Sequence, residues 1–388
     1  MKIDPYKNDV RWKSYKEKFG FGIPGLSKIN SDLLINYLLD MEKGINISNV
    51  SIKGSRSCTR LNNLKCRISF LMKKLKERYN LDDIQKLKED QLLDLFSAMR
   101  NGEIRTKDNR TYKSVQDYAK NFKAFWHWHQ KSSKKQGKDI PDITLDLDTS
   151  GYKPDWVYLT EEQVKKLCEN AKYEYKVLIM FLFDTGIRAP TELINIKISD
   201  LSNDSKELNI REEISKTFGR RIKLLLCSDL LKEYVKTNNL SLNDYLFPID
   251  PYVVNRYLKR LGKKIFGDKE SPAGQKYSDL TMYDFRHNSC CYWLIRYKSE
   301  SALKYRFGWK KSDKIHYYSE LLGMRDTISE EDLLIDVTKT EIENRLLIAE
   351  RDKEIMQDRV DIMEKQLQKI LELMKVADAK VEMIEVLR

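Results

Sequence analysis

Apolar residues recur at three- and four-residue steps through most of this chain, and this period constrains the fold more than any other feature. It is clearest in the stretches LKCRISFLMKKLKERY, IQKLKEDQLLDLFSAM and YKSVQDYAKNFKAFWHW. Such a period places apolar side chains on one face of an α-helix. Because no convincing strand pattern interrupts it, residues 27–132 are predicted to form a bundle of about four helices.

The pattern changes on both sides of this bundle. Residues 1–26 are polar and basic and are predicted to form a basic arm or a short helix. Residues 133–155 contain several lysines followed by Pro141, Gly151 and Pro154, a composition typical of an interdomain linker. A second domain is therefore expected to begin near residue 156.

The second domain, residues 156–325, is predicted to be mostly helical with one small sheet. Thr160 and Gln163 have the spacing of a capping box, so a helix begins there. The stretch KELNIREEISKTFGRRIKLLL alternates apolar and polar residues on both sides of a glycine-containing turn, which indicates an antiparallel hairpin. The expected fold class is mainly α with a small antiparallel β-sheet.

A heptad repeat can be written without a break from Ile342 onward, with mostly apolar residues at its a and d positions. This repeat predicts a long C-terminal helix over residues 326–388 that forms a coiled coil. Lys353 at an a position would weaken the coiled coil and help to fix its register. The alternative is a long amphipathic helix packed on its own domain.

Charge and cysteine content narrow the class of protein. Lys and Arg number 71 against 59 Asp and Glu, and the net charge of +12 favours a polyanionic partner, nucleic acid before membrane. There is no run of 18 apolar residues and no apolar signal-peptide segment. The six cysteines form no C-x-x-C pair, which suits a reducing cytoplasm and indicates no zinc site. We therefore expect a cytoplasmic protein without metal or cofactor.

The stretch FWHWHQ places two histidines beside two tryptophans. A His-x-His pair can bind metal, but residues two apart on a helix face different directions, and no third ligand is near. We expect Trp126 and Trp128 to pack into the bundle, with His127 and His129 near the surface.

Four short stretches of the second domain contain candidate active-site residues. DTGIRAPTEL has an arginine after a glycine at a helix end, and SKTFGRRIKLLL has a lysine at the start of a hairpin turn. TMYDFRH has a tyrosine and an arginine one helical turn apart, and FGWKKSDKIHYYSEL has a tyrosine nine residues after a tryptophan. None of these stretches alone indicates a function. In chain order the residues are Arg188, Lys216, Tyr283, Arg286, Trp309 and Tyr318.

Taken as an ordered set, these stretches resemble the tyrosine recombinase (phage integrase) family over about residues 155–323. That family has an arginine in a T-G-[LI]-R turn, a lysine on a β-hairpin, an H-x-x-R motif, a G-[HW] pair and a later tyrosine. The helical segment 27–132 resembles the core-binding domain of the family, which clamps DNA. Residues 156–325 would then be its α+β catalytic domain.

The resemblance implies a site-specific recombinase that cuts and rejoins DNA through a 3′-phosphotyrosyl intermediate and a Holliday junction. Arg188 and Arg286 would hold the phosphate as planar donor forks. Lys216 would protonate the leaving 5′-oxygen, and Tyr318 would be the nucleophile. The Trp309 indole N–H would donate to a phosphate oxygen. No metal is required because the arginines carry the charge that a metal would supply.

Three positions depart from the family pattern or leave a choice. Tyr283 replaces the usual histidine, a form that resembles integrases of archaeal viruses and plasmids and points to an archaeal mobile element. Tyr283 could donate or accept a hydrogen bond or act as a weak base, and the base role is less expected of a phenol than of an imidazole. The acid of the arginine motif comes one residue late, at Glu192, which leaves its role open. Tyr317 is the alternative nucleophile, and His287 is expected to be a supporting residue.

The expected partner is double-stranded DNA bearing specific recombination sites, bound by a homotetramer on two sites. An accessory directionality protein is a further expected partner, and no membrane is involved. Contacts to phosphates would position the protein without reading sequence. The residues expected to make such contacts are Arg105, Lys107, Arg110, Lys113, Lys131, Lys134, Lys135, Arg220 and Arg221. The alternative for Arg220 and Arg221 is that they pair with acids.

Two other functions use the same residues. A non-catalytic DNA-binding relative is suggested by the Tyr283 departure. An enzyme resembling type IB topoisomerases would use the same nucleophile chemistry on one duplex. Integration, excision, resolution and transposition share this chemistry, so the sequence leaves the biological role, the target sequence and the host open.

Overall fold

The computed structural model describes residues 2–45, 54–151, 154–297 and 299–322, together with individual residues between 346 and 368. Residues 1–315 form one compact unit and residues 316–388 form another, and each is described by itself. The first unit contains two separate hydrophobic cores. Within the described ranges, no helix is both long enough and apolar enough to cross a membrane.

The first core is enclosed by helices that carry the predicted three-to-four-residue apolar period. Ser27 and Ser57 cap two of these helices, because each side chain accepts a hydrogen bond from a backbone N–H in the first turn. The helices are α1 (Asn8–Lys16), α2 (Lys28–Lys43), α3 (Cys58–Tyr79), α4 (Glu89–Asn101) and α5 (Val115–Lys134).

Helix α5 buries both tryptophans of the FWHWHQ stretch, as predicted. His127 is exposed, with its Nε2 3.0 Å from Asp142 Oδ2. His129 was expected near the surface, but this prediction is wrong, since only 4% of the residue is exposed. The reason is helical geometry: His129 lies four residues after the buried Phe125 and therefore shares its face. Burial lowers the pKa of His129.

The segments before and after the bundle are packed against the cores. Trp12 of α1 is buried in the first core, and Ile143 and Leu147 from the predicted linker are buried there as well. The backbone N–H of Ile3 donates to Asn195 Oδ1 at 2.6 Å, and Asn195 Nδ2 donates to the carbonyl of Ile3 at 2.9 Å. The N-terminal segment thus bonds to an element that surrounds the second core.

The second core lies between helices and a three-stranded antiparallel sheet of order β1-β2-β3. The predicted hairpin is β2 with β3, paired in a register that places Leu208 opposite Ile222. Thr160 and Gln163 form the predicted capping box of α6. The observed fold confirms the predicted class, mainly α with a small antiparallel sheet. The strands are β1 (Leu201–Ser202), β2 (Glu207–Ile210) and β3 (Arg220–Lys223).

Helices form most of the chain around the second core, as predicted. The most buried pair is α7 and α10, which pack against each other across the core. The helices are α6 (Glu161–Asn170), α7 (Tyr173–Thr185), α8 (Ser228–Thr237), α9 (Pro251–Phe266), α10 (Met282–Arg296) and α11 (Glu300–Phe307).

Helix α12 (Asp313–Leu322) is the last continuous element described. Most of the coiled coil predicted over residues 326–388 lies outside the described residues. The individual residues described between 346 and 368 are helical, and the large apolar ones among them are exposed. The coiled coil therefore stays a prediction. These exposed residues are Leu346, Met356, Val360, Met363 and Leu367.

Candidate active site

The T-G-I-R turn places Arg188 directly after α7. Gly186 ends this helix in the left-handed conformation, with φ 57° and ψ 25°, which glycine adopts without steric penalty. The Arg188 side chain is 13% exposed. Its Nη1 donates to Glu192 Oε1 at 2.7 Å, and its Nη2 donates to the carbonyl of Gly308 at 2.7 Å. The turn thus holds one guanidinium group at the rim of the second core.

Arg286 reaches the same place from α10. It is buried, and its Nη1 donates to the carbonyl of Gly186 at 2.5 Å. Its Nη2 donates to the carbonyl of Phe307 at 2.6 Å. Burial lowers the pKa of Arg286 to about 10, and the nearby charge of Arg188 acts in the same direction. The side chain nevertheless remains cationic at neutral pH.

Three guanidinium groups donate hydrogen bonds to the C-terminal end of α11. The last carbonyls of a helix have no intrahelical donor and carry partial negative charge. Here the carbonyl oxygens of residues 306, 307 and 308 accept, in that order, from Arg220 Nε at 2.9 Å, Arg286 Nη2 at 2.6 Å and Arg188 Nη2 at 2.7 Å. One helix end therefore orients all three arginines.

Glu192, whose role the sequence left open, is the carboxylate of this cluster. The backbone N–H of Glu192 donates to the carbonyl of Arg188, which closes a turn between them. The carboxylate accepts from the Arg188 backbone N–H at 3.1 Å and from Arg188 Nη1 at 2.7 Å, so an acid one position late still meets the arginine. Burial alone would raise the pKa of Glu192, but hydrogen bonding and charge from Arg220, with the charge of Arg188, lower it to about 2.

This shift predicts a pH dependence of stability. Because the pKa of Glu192 is lowered from 4.5 to about 2 on folding, its contribution is complete above pH 4.5 and is lost as the pH falls toward 2. That contribution is on the order of 3 kcal/mol. In Glu192→Gln, the drop in unfolding free energy between pH 5 and pH 2 should be smaller by about this amount. Parallel profiles for the two proteins, measured by urea denaturation, would contradict the assignment.

Lys216 lies on the loop between β2 and β3, where it is exposed. Both neighbours bond to the arginine cluster. Ser215 Oγ donates to Glu192 Oε1 at 3.3 Å, and Thr217 Oγ1 donates to the carbonyl of Gly308 at 2.8 Å. Two hydroxyl groups, neither singled out from the sequence, therefore hold the Lys216 backbone at the edge of the cluster.

Tyr283 and His287 lie one turn apart on α10. Tyr283 is 50% exposed, and its ring meets the His287 ring edge-on at a centroid distance of 5.1 Å. The His287 ring stacks on Trp156 at 4.8 Å. This packing places the imidazole beside the phenol, and a supporting role for His287 stays a prediction.

Trp309 flanks Arg286, with its ring centroid 5.8 Å from the guanidinium carbon. In the second unit, α12 carries both candidate nucleophiles. Tyr318 is 3% exposed, Tyr317 is half-buried, and their ring centroids are 5.2 Å apart. The two hydroxyl groups therefore sit in different surroundings, as expected for neighbouring helical positions.

The predicted DNA-contacting residues lie on the surface, with one correction. Arg220 is fully buried and bonds to Glu192, so it cannot touch a phosphate backbone. A sequence signal was available, because Ile222 must face the core and Arg220, two residues earlier on the same strand, shares its face. The residues found exposed are Arg105, Lys107, Arg110, Lys113, Lys131, Lys134, Lys135 and Arg221.

Comparisons with known proteins give one family match and several solved structures with a similar fold. Residues 157–323 match the family model described as the phage integrase family. A comparison with curated proteins found no match. The fold is similar to that of the lambda integrase dimer bound to a COC′ core site, with a TM-score of 0.55 and 17% identity over 77% of this chain and 79% of that chain.

Two further solved structures share the fold. The Tn1549 transposon integrase in complex with circular intermediate DNA has a TM-score of 0.54 and 15% identity, over 79% of this chain and 98% of that chain. The XerH recombinase bound to palindromic difH substrate has a TM-score of 0.53 and 15% identity, over 82% of this chain and 96% of that chain. The solved structures show that the chain shares this fold, and residues 157–323 match the phage integrase family, the tyrosine recombinases.

Proposed function

We propose that this chain is the site-specific recombinase of a mobile element and acts on double-stranded DNA. The observation that supports this most is the pair Arg188 and Arg286, which the end of α11 holds next to the Lys216 loop. Two fixed guanidinium groups suit the two non-bridging oxygens of a phosphodiester. They also stabilise the additional negative charge of its transition state.

The chemistry is a transesterification in two steps. The Tyr318 oxygen attacks the scissile phosphorus, and the bond from phosphorus to the 5′-oxygen breaks. Lys216 gives a proton to that leaving oxygen. The resulting 3′-phosphotyrosyl bond conserves the energy of the phosphodiester. The 5′-hydroxyl of a second strand then attacks the same phosphorus, releases Tyr318 and joins the strands through a Holliday junction.

The assembly follows from the same proposal. The lambda and Tn1549 integrases with this fold are seen bound to DNA, and the surface of this chain carries exposed basic residues in the bundle and on the hairpin. We propose that four copies act on two sites in the host cytoplasm, with an accessory protein that sets direction. The Y-x-x-R motif favours an archaeal virus or plasmid as the source.

A nicked substrate tests this function. Duplexes from both flanks of the element that encodes the chain, nicked near the cleavage position, should trap a covalent adduct that survives denaturation. Binding without an adduct would favour the non-catalytic relative. Relaxation of a plasmid that lacks both flanks would favour the topoisomerase-like enzyme.

Lys216→Ala should slow cleavage about 10²- to 10⁴-fold, the range for loss of a general acid. Replacing the bridging 5′-oxygen with sulfur should remove most of this defect, because a thiolate leaves without being protonated. Single-turnover cleavage of both substrates measures the effect. Lys206→Ala, an exposed lysine on the other turn of the sheet, is the control and should cleave normally. An equal defect on both substrates would argue against the role of Lys216.

A further inference from the structure

We propose that Arg220 is a positioning residue of this active site, a role that rests on the proposed recombinase function. Arg220 is the first residue of β3, where alternate residues face opposite sides. Arg220 and Ile222 are buried, whereas Arg221 and Lys223 are exposed. Because the Arg220 side chain is 0% exposed, it acts through its neighbours and not on DNA.

Arg220 holds the carboxylate that pairs with Arg188. Its Nη2 donates to Glu192 Oε2 at 2.8 Å, and its Nη1 donates to Oε1 at 3.3 Å. Arg188 Nη1 donates to the same Oε1 at 2.7 Å. A forked guanidinium fixes the plane of a carboxylate. Arg220 therefore determines how Glu192 presents its oxygen to Arg188.

Arg220 also holds the backbone on which the other arginines rest. Its Nε donates to the carbonyl of Arg306 at 2.9 Å. It packs so closely on Gly308 that a Cβ there would lie 3.0 Å from Arg220 Nη1. Its Nη1 also donates to Ser215 Oγ at 3.4 Å, next to Lys216. One buried side chain thus joins the acid, the end of α11 and the lysine loop.

Arg220 also contributes a positive charge next to Glu192. Arg188 and Arg220 both bond to Glu192. Because Arg220 shares the Glu192 charge, Arg188 and Arg286 keep more of their positive charge for a phosphate and its transition state. Without Arg220, Arg188, which already donates to Glu192, would be left to balance that carboxylate.

Arg220→Met tests this role, because it keeps an unbranched apolar stem and removes the charge and the donors. We expect covalent-adduct formation to slow about 100-fold, as for loss of one preorganised donor, while the Kd for the duplex site changes less than about threefold. Lys223→Met, an exposed neighbour on the same strand, is the matched control and should cleave at the wild-type rate. Thermal unfolding of each variant shows that it is folded.

The double variant that combines Arg220→Met with Glu192→Gln tests whether Arg220 acts through Glu192. If Arg220 acts through Glu192, the double variant should lose much less than the product of the two single losses. Arg220→Lys keeps the charge without the fork and should slow cleavage about tenfold. If Arg220→Met does not fold, Arg220→Lys is measured in its place.

Three outcomes would overturn the inference: a wild-type cleavage rate in Arg220→Lys, affinity that falls in parallel with cleavage, or losses that multiply in the double variant. The absence of any adduct with the wild-type protein is distinguishable from these. It would overturn the proposed function itself, and the role of Arg220 with it.

Discussion

Tyr318→Phe is expected to abolish the covalent adduct with a nicked substrate, a loss of at least about 10⁴-fold, because without the hydroxyl oxygen no phosphotyrosyl bond can form. Phenylalanine retains the ring of this buried residue. The duplex site should therefore bind as tightly as before. Denaturing electrophoresis of the trapped adduct and a Kd measurement together separate the loss of chemistry from a loss of binding.

Tyr317→Phe is the matched control, since it makes the same change on the adjacent residue of α12. It should form the adduct at nearly the wild-type rate. The opposite pattern, in which only Tyr317→Phe fails, would assign the nucleophile to Tyr317. An adduct in both single variants would contradict the proposal that either hydroxyl is the sole nucleophile.

Gly186→Ala is expected to destabilise the protein and to damage the site at the same time. Gly186 has φ +57°, and a Cβ there would overlap Phe307 Cε1 and lie 2.8 Å from Ser289 Oγ. The left-handed backbone costs about 1–2 kcal/mol for a residue with a side chain. Overpacking of the core typically adds about 1–3 kcal/mol. Because Arg286 donates to the carbonyls of Gly186 and Phe307, cleavage should fall together with stability.

Gly137→Ala separates the two costs. Gly137, which follows the end of α5, has a similar φ of +74°, but no atom lies within 4 Å of the position of its Cβ. It should therefore lose only the backbone cost of about 1–2 kcal/mol and should cleave DNA normally. Urea denaturation and single-turnover cleavage of both variants measure the difference. Equal destabilisation at the two glycines would show that the contact with Phe307 is unimportant.

Local patterns predicted much of this fold. The apolar period predicted the helices, and alternation across a turn predicted the pairing of β2 with β3. Arg188 and Arg286 could be named because each occurs within a short motif. Their meeting depends on the packing of α7 against α10, which the family resemblance implied and no local pattern contains.

The parts that sequence reasoning missed depend on contacts between distant residues. Arg220 was expected to contact DNA or to pair with acids because it lies near Lys216, but the sequence did not indicate its partners. It bonds to Glu192, 28 residues earlier, and to the carbonyl of Arg306, 86 residues later. Only such partners make burial of a charged side chain tolerable. His129 differs, because the burial of Phe125 one turn earlier was a local signal that could have been used.

The shared helix end also has a consequence for how the enzyme is turned on. Three arginines donate to three successive carbonyls at the C-terminal end of α11, an eight-residue helix, and its capping residue Gly308. A displacement of that helix would remove an acceptor from each arginine in the same event, so the site would be competent or incompetent as a whole. Activity would then follow the population of one arrangement of α11 and would behave as a two-state switch.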